Sequence, residues 1–191
     1  MSGGLGFHET MSGPVALGVE APAEGASSPQ AAPLTINCHI AIDDIDRFVD
    51  DADHTGAIAG SVEYVAFGGE LPVRDGVFNL FKREDGQRVM EYRLPFEFDG
   101  RLYLLAGRKH VRDEPGFDVW KDTTTLYTRV HEGSDESGSV AAAGVLTIGV
   151  EALARMTASM RPTEGGSIDS LVKFGRLFMG ELWETYGKSK L

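Results

Sequence analysis

From Leu34 onward, apolar and polar residues alternate with a period of two. In LTINCHIAI, Leu34, Ile36, Cys38, Ile40 and Ile42 share one face, and Thr35, Asn37, His39 and Ala41 share the other. That alternation predicts a strand with one buried side. VMEYRLPFEF separates more cleanly: Met90, Tyr92, Leu94, Phe96 and Phe98 point one way, Glu91, Arg93, Pro95 and Glu97 the other. Pro95 has no N–H for the ladder, which places its strand at an edge or a bulge. Asp99-Gly100 predicts a tight hairpin, with RLYLLAGRKHV as the return strand. Further strands are expected over 57–67, 76–82, 123–131 and 141–150. Gly68-Gly69, Asp75-Gly76, Asp85-Gly86, Pro115-Gly116 and the polar HEGSDESGS stretch supply the turns between them. Seven to nine short strands at this spacing predict a mainly β fold. Its form is an antiparallel, lipocalin-like β-barrel, with a sandwich as the other arrangement of the same pattern.

The period changes near the end of the chain. Ile168, Leu171, Val172, Phe178, Met179, Leu182, Trp183 and Tyr186 recur at three and four, which predicts a C-terminal amphipathic helix. Ser167 is suited to cap it, Asp169 to its first turn and Gly187 to its stop. A shorter helix is expected over 151–160. At the other end, EAPAEGASSPQAAP (20–33) lacks bulky apolar side chains and reads as a flexible linker. Residues 1–19 then form an N-terminal strand segment, and 34–191 the barrel with its helix, one domain overall.

Composition removes several classes of function. The 191 residues carry a formal net charge of −11. Lys82, Arg83 and Arg88, the nearest thing to a basic cluster, are interrupted by Glu84 and Asp85, so no nucleic-acid role is expected. Cys38 is the one cysteine, which excludes an intrachain disulfide. The start MSGGLGFHETMSGP has neither a basic nor an apolar run, and no apolar segment reaches the ~18 residues of a membrane span. A cytoplasmic, soluble protein is the expectation. No dinucleotide fingerprint, phosphate loop or G-x-S-x-G elbow is present, so no cofactor is expected. Histidines 8, 39, 54, 110 and 131 show no metal-site spacing. The acidic run Asp43–His54 lacks the glycine and glutamate of a calcium loop. It reads instead as a solvated helix or loop turning Ile45, Phe48 and Val49 inward.

The richest stretch is GRKHVRDEPGFDVWKDTTTLY (107–127). Glu-Pro-Gly predicts a type II turn between two strands, and consecutive threonines suit a strand. The same stretch also gathers His110, Asp118 and Asp122, which could move a proton. Trp120 and Tyr127, with Tyr92, Phe96 and Tyr103, could wall a pocket for an apolar ligand.

GGELPVRDGVFNLF (68–81), the block 88–130 and GVLTIGVEALARM carry a resemblance, as does GFHETMSG near the start. DEPGFDVWKDTTTLY is its most specific part. The chain resembles, over nearly its whole length outside 20–33, a bacterial domain fused to or found beside glucose-methanol-choline flavin oxidoreductases labelled cholesterol oxidases. The resemblance implies association with a flavoprotein and with sterol-like or long-chain lipid chemistry, and it transfers no catalytic residues. Two expectations follow. One is a non-catalytic barrel that binds an apolar small molecule or docks with an oxidoreductase, with a cavity of roughly 300 Å³ or more. The other is a small cofactor-free isomerase, cyclase or hydrolase, using His110 with nearby carboxylates.

Overall fold

The computed structural model describes residues 3–111, 123–163 and 165–186, with the side chains of the last helix described through Glu181. Eight antiparallel strands follow one another around a closed barrel. They are β1 (Leu5–Leu17), β2 (Ala32–Ile42), β3 (Thr55–Tyr64), β4 (Gly69–Glu84), β5 (Gln87–Phe98), β6 (Arg101–Val111), β7 (Thr125–Glu132) and β8 (Val140–Thr147). Each pairs with the next, and β1 closes the ring by pairing with β2 on one side and β8 on the other. Closure leaves no long sheet edge unpaired, which is how a fold this rich in strand avoids edge-to-edge association. Gly144 makes the seam with β1 close: a Cβ there would lie 2.2 Å from the Pro14 carbonyl oxygen. A two-residue β9 (Arg161–Pro162) extends the pairing of β1 beyond the barrel.

The short segments sit outside or across the ends. Helix α1 (Pro22–Ser27) packs on the outer side of β8 and β1, so part of the span expected as a flexible linker is ordered on the barrel wall. Helix α2 (Ile45–Asp50) is capped by the Asp44 carboxylate, which accepts from the Asp46 and Arg47 amides. It turns Ile45 and Phe48 inward as expected, while Val49 is exposed. Helices α3 (Val150–Ser159) and α4 (Ile168–Tyr186) complete the chain. Among the described residues no helix is long and apolar enough to cross a membrane.

The period-two faces hold. Leu34, Ile36, Cys38, Ile40 and Ile42 are buried, as are Met90, Tyr92, Leu94 and Phe96. Asp85-Gly86 and Asp99-Gly100 are two-residue hairpin loops, each with both residues at positive φ. Asp75-Gly76 is different. It is a bulge inside one continuous β4, where the register against β3 slips between Ile58↔Gly76 and Gly60↔Val73. The same positive-φ residue type serves a bulge or a turn, and the pairing partner decides which. Pro95 lies just past the last described β4–β5 pair, Val77↔Arg93, level with that bulge. A strand interior to the sheet therefore tolerates proline, because its neighbour bends away there. A second bulge between Asn79 and Lys82 puts Phe81 at φ 54°. Its ring packs 5.5 Å from that of Phe178 on α4.

The two ends of the barrel are closed differently. At one end Phe67, on a short 3-10 turn after β3, meets Tyr64, Phe96, Phe98 and Tyr103 at ring separations of 5.2–5.6 Å. The Tyr64 hydroxyl donates to the Val15 carbonyl at 2.8 Å, which pins this aromatic plug to the closing strand. At the other end α3 and α4 lie across the mouth. Phe174 of α4 reaches in to Phe7 at 5.9 Å and to Phe48 at 6.3 Å.

Candidate functional site

A cavity of about 470 Å³ lies between the barrel and the two helices. Its size falls within the range of small-molecule pockets. The helices supply one wall at helical spacing: Leu153 and Met156 from α3, with Met160 just after its end, and Leu171, Phe174 and Phe178 from α4. The strands supply the opposite wall, with Phe7, Phe78, Leu80, Met90 and Tyr92. Methionine and leucine line much of the space, side chains whose rotamers adapt to an occupant.

Among the described residues, its charged feature comes from three separate strands. Alternation along β1 turns Leu5, Phe7, Glu9, Met11 and Val15 to the same face, so Glu9 points into the barrel. Along β6 it turns Tyr103, Leu105, Gly107, Lys109 and Val111 inward. Lys109 Nζ donates to Glu9 Oε1 at 2.9 Å, and the Tyr92 hydroxyl donates to Glu9 Oε2 at 2.7 Å. The side chains of Lys109 and Glu9 are only 3% and 4% exposed. The ammonium also stands 5.0 Å from the centre of the Tyr92 ring, and Phe78 packs edge-on to that ring at 5.2 Å. Gly107 sits opposite Tyr92 in the β5–β6 register, and a Cβ there would strike the Leu126 side chain at 2.8 Å. Lacking a side chain, it leaves room for the Leu126 side chain.

Burial and the Glu9 charge hold the phenol and the thiol beside it in their protonated, neutral forms. Burial, then the Glu9 charge and its hydrogen bond, push the Tyr92 phenol well above its ordinary range. Cys38 faces Glu9 across the β1–β2 pair. Burial raises its thiol strongly and Glu9 raises it further, with Lys109 opposing. Cys38 is therefore a small apolar wall residue here and a poor nucleophile.

The residues singled out from sequence are dispersed. Tyr92 lines the cavity, whereas Phe96 and Tyr103 belong to the aromatic plug at the far end. His110, one position after Lys109, stands on the outer face of β6 near the exposed Tyr127, ring centres 5.9 Å apart. Asp118, Trp120 and Asp122 lie outside the described residues. His8 and His39 pair on the outer surface at 4.7 Å. Burial, then His8, lowers the proton affinity of His39. Among the described residues no group of three or more His, Cys, Asp or Glu could hold a metal ion. Sequence reasoning missed Glu9 and Lys109. Each carried a signal, a lone charge on an otherwise apolar stripe.

The outer face of the same strands carries its own charge network. Glu91 meets Lys82 at 3.2 Å and Arg108 at 3.0 Å, and Arg108 forks onto Glu136 at 2.8 and 2.9 Å. This bidentate pair ties the β7–β8 connection to the barrel wall. It faces away from the cavity.

Comparison with known proteins finds no matching family model, no matching curated protein and no matching solved structure.

Proposed function

We propose that this barrel binds an apolar small molecule, sterol-like or lipid, in the cavity beneath α3 and α4. The observation that carries the reading is a cavity of about 470 Å³ with apolar walls that meets one buried polar cluster, Glu9, Lys109 and Tyr92. Sites of this composition hold the body of a ligand by burial and orient it through a few polar contacts. Mass spectrometry of the organic extract of detergent-free protein is expected to find a stoichiometric apolar compound. Leu153→Trp, which projects an indole into the cavity from α3, is expected to abolish that occupancy while leaving the fold intact. Equal occupancy in the variant would place the ligand elsewhere and end this reading. The partnership with a glucose-methanol-choline flavoprotein rests on the sequence blocks that carry the resemblance, and co-purification with such a protein tests it.

A second reading, a cofactor-free isomerase, cyclase or hydrolase, is favoured by the same cluster. It places a carboxylate within hydrogen-bond reach of a phenol and an ammonium inside a cavity, the elements of general acid–base catalysis. In this reading Glu9 takes and returns a proton, and Lys109 opposes negative charge developing on the substrate. Incubation of the extracted ligand with protein in deuterium oxide is then expected to give carbon-bound deuterium for an isomerase or cyclase, and cleavage products for a hydrolase. Glu9→Gln should lose that incorporation or cleavage while still binding the ligand. A wild-type protein that neither incorporates deuterium at carbon nor cleaves the ligand ends this second reading.

A further inference from the structure

The charges inside the cavity discriminate among apolar ligands. An ammonium has three N–H donors. Lys109 gives one to Glu9 Oε1, and no other acceptor for it occurs among the described residues. Both Glu9 oxygens are engaged, one by Lys109 and one by Tyr92. As a unit the buried pair is neutral. A hydrocarbon filling the cavity would leave the remaining ammonium donors dry, and an unmade hydrogen bond to a buried charge is costly. A carboxylate would satisfy them, but it would set a second negative charge beside Glu9 around a single cation in apolar surroundings. An amine would confront Lys109 with a like charge. A neutral oxygen acceptor satisfies the donors and leaves the charge balance unchanged.

Taking the binding reading as premise, we propose that the ligand is an uncharged molecule with an apolar body and one oxygen acceptor, a hydroxyl, ketone or ester. That oxygen sits on Lys109 Nζ. Glu9 sets the selectivity by cancelling the lysine's charge, and Tyr92 holds Glu9 in place.

The test is competition. The full chain, freed of any extractable ligand, is equilibrated with an equimolar mixture of dodecanol, methyl dodecanoate, dodecanoate and dodecane at neutral pH. It is then separated by gel filtration, and the co-eluting compounds are quantified. The alcohol and the ester are expected to be enriched about tenfold over both the carboxylate and the hydrocarbon. Glu9→Gln keeps the shape and an acceptor for Tyr92 but leaves Lys109 with an uncancelled charge, so the carboxylate should become the preferred ligand. Wild-type protein that retains dodecanoate as well as dodecanol overturns the proposal. Equal retention of dodecane and dodecanol overturns it too, while leaving an apolar-ligand barrel standing. If none of the four co-elutes, the binding reading itself falls. The wild-type ranking decides the proposal even if Glu9→Gln does not fold.

Discussion

Lys109→Met is expected to cost about 3–5 kcal/mol of folding stability, the usual penalty for leaving one member of a buried ion pair alone. Methionine matches the length of the lysine stem and fills most of its volume. The loss therefore comes from Glu9, whose carboxylate would remain buried with, among the described residues, only the Tyr92 hydroxyl as partner. For a chain of this size the corresponding fall in Tm is about 10 °C. The double variant Glu9→Gln/Lys109→Met should recover most of that loss. It removes both charges, and the glutamine oxygen still accepts from Tyr92. Urea unfolding of the three proteins measures the pattern. A single variant within about 1 kcal/mol of wild type would mean that water reaches the pair, because solvent-exposed pairs contribute that little. Recovery in the double variant would show that the pair is kept for something other than stability. A ligand site is such a use.

Stability should also fall steeply in alkali. The ordinary thiol value is 9.0 and the ordinary phenol value 10.0, and the fold raises both Cys38 and Tyr92 above them. The native state therefore retains protons that the unfolded chain releases. Stability from each group is fully present below its unfolded value and is lost as pH rises from there towards the raised native value. Each contributes a slope of about 1.4 kcal/mol per pH unit across its window. Cys38→Ala should remove the decline that begins near 9.0, and Tyr92→Phe should lessen the steeper decline that begins near 10.0, to which the Tyr64 phenol, also raised by burial, contributes. Denaturant titrations at a series of alkaline pH values would show it. A flat profile above pH 10.0 would place both groups in contact with water.

Much of this fold could be read from the chain because a strand with one buried face writes that face into its sequence. The alternation in LTINCHIAI and VMEYRLPFEF named which side chains point inward, and Asp85-Gly86 and Asp99-Gly100 marked hairpins whose backbones need positive φ. The same rule applied to GFHETM and LLAGRKHV would have turned Glu9 and Lys109 inward. His110, the more conspicuous residue by type, stands one position after Lys109 and so faces the opposite side of the wall.

Local chemistry therefore determined the strands, their faces, the tight turns and the two amphipathic helices. Each depends on residues within a few positions of one another. Tertiary structure alone decided the rest. It chose a bulge over a turn at Asp75-Gly76, since that depends on which strand lies alongside. It assigned Phe96 and Tyr103 to the plug and Tyr92 to the cavity, since depth along a barrel depends on register between strands. It brought Glu9 to Lys109 across 100 positions of sequence. Two charges on separate apolar stripes have no reason to meet until closure of the barrel puts both stripes around one interior, where burial leaves each the other as its partner.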